Sequence, residues 1–151
     1  MSDSQTVFTS FSAMLKKALG NKLDPSSQNF IEMVSHDCVM EFPYAPEGAI
    51  SKVEGSDALA NYLSRVSKII SIEEISEPLV HQTQAQDVVI LEFECTGKGL
   101  RTGRPYNQRY VSVITLKDGK INKYLDYWNP ITVMDAIGDL SLLTQNEGDA
   151  K

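Results

Sequence analysis

The chain changes its dominant hydrophobic period near residue 71, and that change limits the fold more than any single motif. Upstream, apolar residues recur every three or four positions. Val7, Phe8, Phe11, Met14, Leu15, Ala18 and Leu19 share one helical face, with Gly20 as the C-terminal stop. A second helix reads from Asp24 as N-cap and Pro25 at its first position, with Phe30, Met33 and Val34 inward. A third follows Ser56, its stripe made by Ala58, Leu59, Tyr62, Leu63 and Val66. Downstream the period is two, which builds strands. Segments 71–84, 87–97, 106–116 and 121–128 read this way, the first with a break near Pro78. Asp118-Gly119 marks a tight hairpin turn between the last two.

Two short elements complete the order. Residues 38–44, CVMEFPY, read as a strand closed by Pro43 and Pro46. The stretch NPITVMDAIG, from residue 129, opens a closing helix with Asn129 as cap and Pro130 at the first position. Helices segregated from a mostly antiparallel sheet define an α+β fold rather than a doubly wound one. About five or six strands are expected. A sheet so twisted curls around its helices, and its concave side can hold a cavity. Residues 1–138 read as one domain, and the polar tail 139–151 as disordered.

Charge narrows the partners. Twenty acidic residues against fourteen basic ones leave a net charge of -6. Neither nucleic acid nor an anionic membrane attracts such a surface. No apolar run reaches the length of a membrane span, and the first residues lack a secretory pattern. Cys38 and Cys95 each lie in an apolar run, without metal-ligand spacing, and read as reduced buried thiols. A cytoplasmic protein is the expectation. No cofactor or metal is implied: the glycines of GKGLRTGR, residues 97–104, join strands and do not form a dinucleotide fingerprint.

Three stretches, EFPYAPEG, GRPYNQRYVSV and KYLDYWNPI, together with the element order, resemble the SnoaL-like branch of the nuclear transport factor 2-like, or ketosteroid isomerase-like, superfamily. The resemblance spans roughly residues 7–138 and implies a cone: a curved sheet and helices enclosing an apolar pocket. It implies a homodimer through the open sheet face, which also fits the apolar alternation in 88–96 and 109–116. In ketosteroid isomerases the general base is an aspartate before a proline at the end of the first strand; Phe42, before Pro43, holds that position here. The isomerase oxyanion acid maps near Ser112, with Tyr110 two residues earlier on the same face. SnoaL-like cyclases use an aspartate near the final strand with a histidine partner. Asp126 matches that aspartate, and His81 or His36 would supply the histidine.

The segment KYLDYWNP, residues 123–130, sets the chemical question. Alternation puts Asn122, Tyr124, Asp126 and Trp128 on one face of the last strand, and the resemblance turns that face inward. A carboxyl in a low-dielectric pocket has its pKa raised and suits general-base work. The same aspartate could instead accept hydrogen bonds and pin the strand. Tyr110 and Tyr44 are candidate donors to a ligand oxygen, His81 a candidate proton shuttle, and Phe42, Ser112, Tyr124 and Trp128 pocket walls. Glu92 and Glu94 read as solvated or dimer-facing. The function expected is binding of a small, largely apolar molecule in the interior pocket. The alternative is a cofactor-free acid–base enzyme of isomerase, cyclase or dehydratase type, acting on a polyketide, terpenoid or steroid-like substrate with Asp126 as base.

Overall fold

Three long strands form the spine of the molecule: β6 (Val88–Gly99), β7 (Gln108–Lys117) and β8 (Lys120–Trp128), in an antiparallel meander. Asp118 and Gly119 both take positive φ, 54° and 80°, as a two-residue primed turn between twisted strands requires. The computed structural model describes residues 7–143. Around the spine lie β1 (Val7–Phe8), α1 (Phe11–Leu19), α2 (Phe30–Met33), β2 (Val34–Glu41), β3 (Lys52–Glu54), α3 (Ser56–Val66), β4 (Ile70–Ser76), β5 (Leu79–Gln82) and α4 (Pro130–Ile137). The sheet runs β1-β4-β6-β7-β8-β2-β3, with β5 beside β4 along the same edge of β6. Among the described residues, only β2 and β8 pair in parallel.

The α+β cone read from the sequence is the fold observed, with two further short strands, β1 and β3. The break at Pro78 separates β4 from β5. Three boundaries move for local reasons. Ser10 caps α1, its hydroxyl accepting from the Ala13 amide at 3.0 Å, so Val7 and Phe8 fall outside the helix and pair with β4. Asp24 does not start α2. Its carboxylate accepts from the amide and hydroxyl of Ser26, a local turn that competes with helix. Asn29 caps instead, accepting from Glu32, which reaches back to the Gln28 amide. Gly55, at φ 94°, rather than Ser56, holds the cap position of α3. The early strand begins at Val34 and ends at Glu41, before Phe42.

The sheet curls because irregularities interrupt its ladders. One falls between Ile72 and Glu74 in β4, another at Asn122 in β8, and a third between Val34 and Val39 in β2. Each changes which residues face inward. Ile121 and Tyr124 are both buried although three positions apart, because Asn122 is the extra residue between them. Met14, Leu15 and Leu19 of α1, Phe30 and Met33 of α2 and Leu59 of α3 pack onto Leu91, Ile114 and Tyr124 of the concave face. Gly99 permits the close docking of α4: a Cβ there would lie 2.0 Å from the Ala136 carbonyl oxygen.

The expectation of a disordered tail from residue 139 does not hold for its first part. Leu140–Leu143 form a 3-10 turn, the Ile50 amide donates to the Leu143 carbonyl at 2.8 Å, and the Leu143 side chain is buried. The rest of that expectation lies outside the described residues. Among those described, no helix is long and apolar enough to cross a membrane.

Candidate functional site

The mouth of the cone leads to a cavity of about 230 Å³ between α1, α3 and the concave sheet. Its walls are almost wholly apolar or aromatic. Phe11 and Leu63 come from the helices, Phe93 and Cys95 from β6, Phe42 and Trp128 from the strand ends, and Val133 and Leu143 from the C-terminal elements. Ile72, 41% exposed, also lines it and marks the open side. Four tyrosines, Tyr62, Tyr106, Tyr110 and Tyr124, and one carboxyl, Asp126, supply its polarity.

Asp126 sits on β8 directly opposite Ser112 of β7. Two pairs of neighbouring hydroxyls are engaged with one another. Ser112 and Tyr124 share a hydrogen bond of 2.7 Å, and Tyr106 and Tyr110 share another of 2.7 Å. Among the described residues, no hydrogen bond or ion pair reaches the Asp126 carboxylate. Burial among apolar walls penalises its charged form and pushes its pKa up to about 7. The same burial, reinforced by the Asp126 charge, drives the Tyr62, Tyr110 and Tyr124 phenols upward. They remain neutral donors at physiological pH. The arrangement therefore offers one carboxyl poised to gain or lose a proton near neutrality, ringed by un-ionised hydroxyls.

The structure brings together five of the eight residues singled out in the sequence: Asp126, Tyr110, Phe42, Tyr124 and Trp128 all line the cavity. Ser112 does not. It is fully buried behind the wall, where its hydroxyl holds Tyr124. Tyr44 lies beyond Pro43, is 60% exposed, and packs edge-on against Tyr127 outside the cavity. His81 is turned away from Asp126. It pairs with Ile90, whose neighbour Leu91 points inward, so His81 belongs to the outer face. There its Nε2 lies 2.8 Å from the Glu92 carboxylate, which also faces Arg109 at 3.8 Å. His36 is exposed on β2 and lines a separate surface groove. No histidine reaches the cavity.

Tyr106 and Gln108 were not singled out as site residues. Gln108, 2% exposed, accepts through Oε1 from the Asn129 amide at 2.9 Å and the Arg109 amide at 3.1 Å. Its Nε2 donates to the Asn129 carbonyl at 3.1 Å and toward the Tyr106 hydroxyl at 3.5 Å. The signal was the alternation Tyr106, Gln108, Tyr110, Ser112, which continues the inward face of β7 past its own end. Among the described residues, no group of three or more His, Cys, Asp and Glu side chains is placed to hold a metal ion.

A curved, mostly antiparallel sheet wrapped around helices in this way is the fold of the NTF2-like proteins. An NTF2-like protein of Burkholderia xenovorans has the same fold at a TM-score of 0.64, with 20% identity over 84% of this chain and 88% of its own. The family model of the SnoaL-like domain matches residues 21–124, and the chain belongs to that family. It is 38% identical over 134 residues to the uncharacterized protein YesE of Bacillus subtilis, which covers 89% of this chain and 91% of the relative. A crystal structure of a Bacillus subtilis protein provisionally assigned as an isomerase superposes at a TM-score of 0.72 and 38% identity, covering 83% of this chain and 91% of its own.

Proposed function

We propose that the protein is a cofactor-free proton-transfer enzyme of isomerase type, acting on a small apolar carbonyl compound held in the cone. The observation that carries this is the Asp126 carboxyl: unpartnered, walled by apolar groups, and with a pKa of about 7. Asp126 is half-buried, its carboxylate open to the cavity, and unpartnered carboxyls with raised pKa cluster where they meet a ligand. The provisional isomerase assignment of the Bacillus subtilis structure points the same way.

The number of titrating groups selects the reaction type. Dehydration and hydrolysis need an acid for the leaving group as well as a base. Among the cavity residues only Asp126 titrates near neutrality. Isomerisation needs one group used twice. On a β,γ-unsaturated ketone, Asp126 takes a proton from the carbon between the carbonyl and the double bond, the electron pair spreads onto the carbonyl oxygen as a dienolate, and the same carboxyl returns the proton to the γ carbon as the double bond moves into conjugation. Neutral tyrosines hold the enolate oxygen. Size limits the substrate. An apolar cavity of roughly 150 Å³ takes benzene, so about 230 Å³ accommodates one or two rings.

The test is deuterium uptake. Small cyclic ketones and enones would be incubated with the protein in D₂O and followed by NMR. Incorporation next to the carbonyl is expected, with a rate that rises with pH through about 7 and then levels, because the ionised carboxylate is the active form. Binding without incorporation across the panel would favour the second reading, a carrier that binds a small apolar molecule without turning it over.

The homodimer and the cytoplasmic location belong to the same proposal. Ile90, Val111, Val113, Leu125 and Tyr127 form an apolar strip on the outer sheet face, with Val111 37% exposed. Light scattering at micromolar concentration is expected to return twice the chain mass. Cys38 and Cys95, both free and buried, fit a reducing compartment.

A further inference from the structure

We propose that the cavity is also a binding site for a bulky organic cation, a ring- or alkyl-bearing ammonium, held between the Asp126 carboxylate and the aromatic rings around it. The inference goes beyond the proton-transfer reading and needs no turnover. It starts from a charge imbalance. The cavity lining holds one carboxyl and, among the described residues, no lysine, arginine or histidine. The chain around it carries a net charge of -6. An anionic group in the low-dielectric cleft of an acidic protein raises the local concentration of cations.

The surroundings of the carboxyl select the kind of cation. Tyr124 and Trp128 flank Asp126 on its own face of β8, and Tyr110 lies diagonally across on β7. Tyr62 approaches from α3, close enough for the Asp126 charge to act on its hydroxyl. Phe42 packs against two of these rings, its centroid 5.1 Å from that of Tyr62 and 6.1 Å from that of Trp128. Aromatic faces carry negative density, tryptophan most of all, so the rings and the carboxylate attract the same ligand. A small, strongly hydrated cation loses too much on leaving water for such walls. A quaternary ammonium spreads its charge over methyl surface, holds water weakly and fills apolar space. The volume agrees, since about 230 Å³ accommodates a ring with substituents.

Such a cation supplies the partner that the carboxylate lacks within the chain. It stabilises the ionised form and so competes with the proton for Asp126. The groups around Asp126 leave that competition readable. Burial pushes Tyr62, Tyr106, Tyr110, Tyr124 and Cys95 upward, which keeps them neutral. Arg65 acts on Tyr62 from one turn further along α3 and stays charged throughout. A change of affinity near neutrality therefore reports Asp126.

The test uses phenyltrimethylammonium, whose charge is permanent, and tert-butylbenzene, the neutral molecule of the same shape with carbon in place of nitrogen. Calorimetry gives the affinities, and the fluorescence of Trp128, the single tryptophan of the chain, places the ligand in the cavity. At pH 8 the wild-type chain is expected to bind the cation about 10–100-fold more tightly than the isostere. Below about 7 the cation's affinity should fall by up to about tenfold per pH unit as protons take the carboxylate, while that of the isostere does not fall. Asp126→Asn should lose both the charge preference and the pH dependence yet still bind tert-butylbenzene, which shows that the variant is folded. Trp128→Leu should weaken the cation more than the isostere. Equal affinities in wild type, no binding of the cation at millimolar concentration, or a charge preference that survives in Asp126→Asn would overturn the proposal. Equal losses for both ligands in Trp128→Leu would overturn the part given to the rings. Cation binding in a protein that fails the deuterium test would leave the proposal standing and remove the isomerase reading alone; deuterium uptake without cation binding would do the reverse.

Discussion

Asp126→Asn is expected to stabilise the folded chain at pH 8 while cutting turnover roughly 10²–10⁴-fold, the usual contribution of a positioned general base. The stability half follows from the direction of the pKa shift. The carboxyl rises from 3.8 in the open chain to about 7 in the cavity. Below pH 3.8 both states are protonated and the group is neutral to stability. Between 3.8 and about 7 the unfolded chain ionises while the folded one keeps its proton, so stability falls as pH rises. Above about 7 both are ionised and the whole penalty of a charge among apolar walls is in place. At about 1.4 kcal/mol for each pH unit of that window, the penalty approaches about 4 kcal/mol. Asparagine carries none of it. Urea unfolding at pH 4 and pH 8 should show the two proteins nearly equal at the lower pH and the variant clearly more stable at the higher. A carboxylate that merely pinned β8 would give the opposite sign, because its loss would strip hydrogen bonds from their donors.

That trade, stability given up at the proposed base, also separates what the sequence could reveal from what it could not. Alternation along β8 was enough to set Tyr124, Asp126 and Trp128 on one face, and the family resemblance was needed to turn that face inward. The alternation of Val89, Leu91, Phe93 and Cys95 was legible outright, because a one-sided strand buries every second residue. His81 was not placed. Whether it faces Asp126 or the solvent depends on one residue of register between β5 and β6, and a one-residue slip reverses every face. Nothing local in PLVHQTQ fixes that register. Asn122 shows the same limit, since the bulge there shifts one residue of an otherwise regular series out of phase. Tyr44 failed for another reason: the strand ends at Glu41, and beyond Pro43 alternation has no meaning. Gln108 was passed over because a polar residue near a strand end reads as surface, and only its four partners explain why it is buried.

Those partners make Gln108→Ala the second large effect expected, about 2–4 kcal/mol of lost stability. The amide joins the start of β7 to the corner where β8 turns into α4. It satisfies the Asn129 amide and carbonyl and the Arg109 amide at once. Truncation leaves the Asn129 and Arg109 amides short of this partner, while the Asn129 carbonyl keeps the Val133 amide at 3.3 Å, and it opens a void beneath Tyr106. Asn129 is itself exposed, so water recovers part of the loss, which holds the figure below that of a fully enclosed network. The damage should not be uniform. Asn129 caps α4, accepting from the Ile131 amide, and α4 supplies Val133 to the cavity wall. Amide hydrogen exchange in the variant is expected to quicken first in residues 129–137 and at the start of β7. The centre of the β6–β7 ladder should stay protected. Uniform acceleration would mean that Gln108 contributes only to global stability, whereas the confined pattern would make it the joint that holds the C-terminal wall against the rest of the cone.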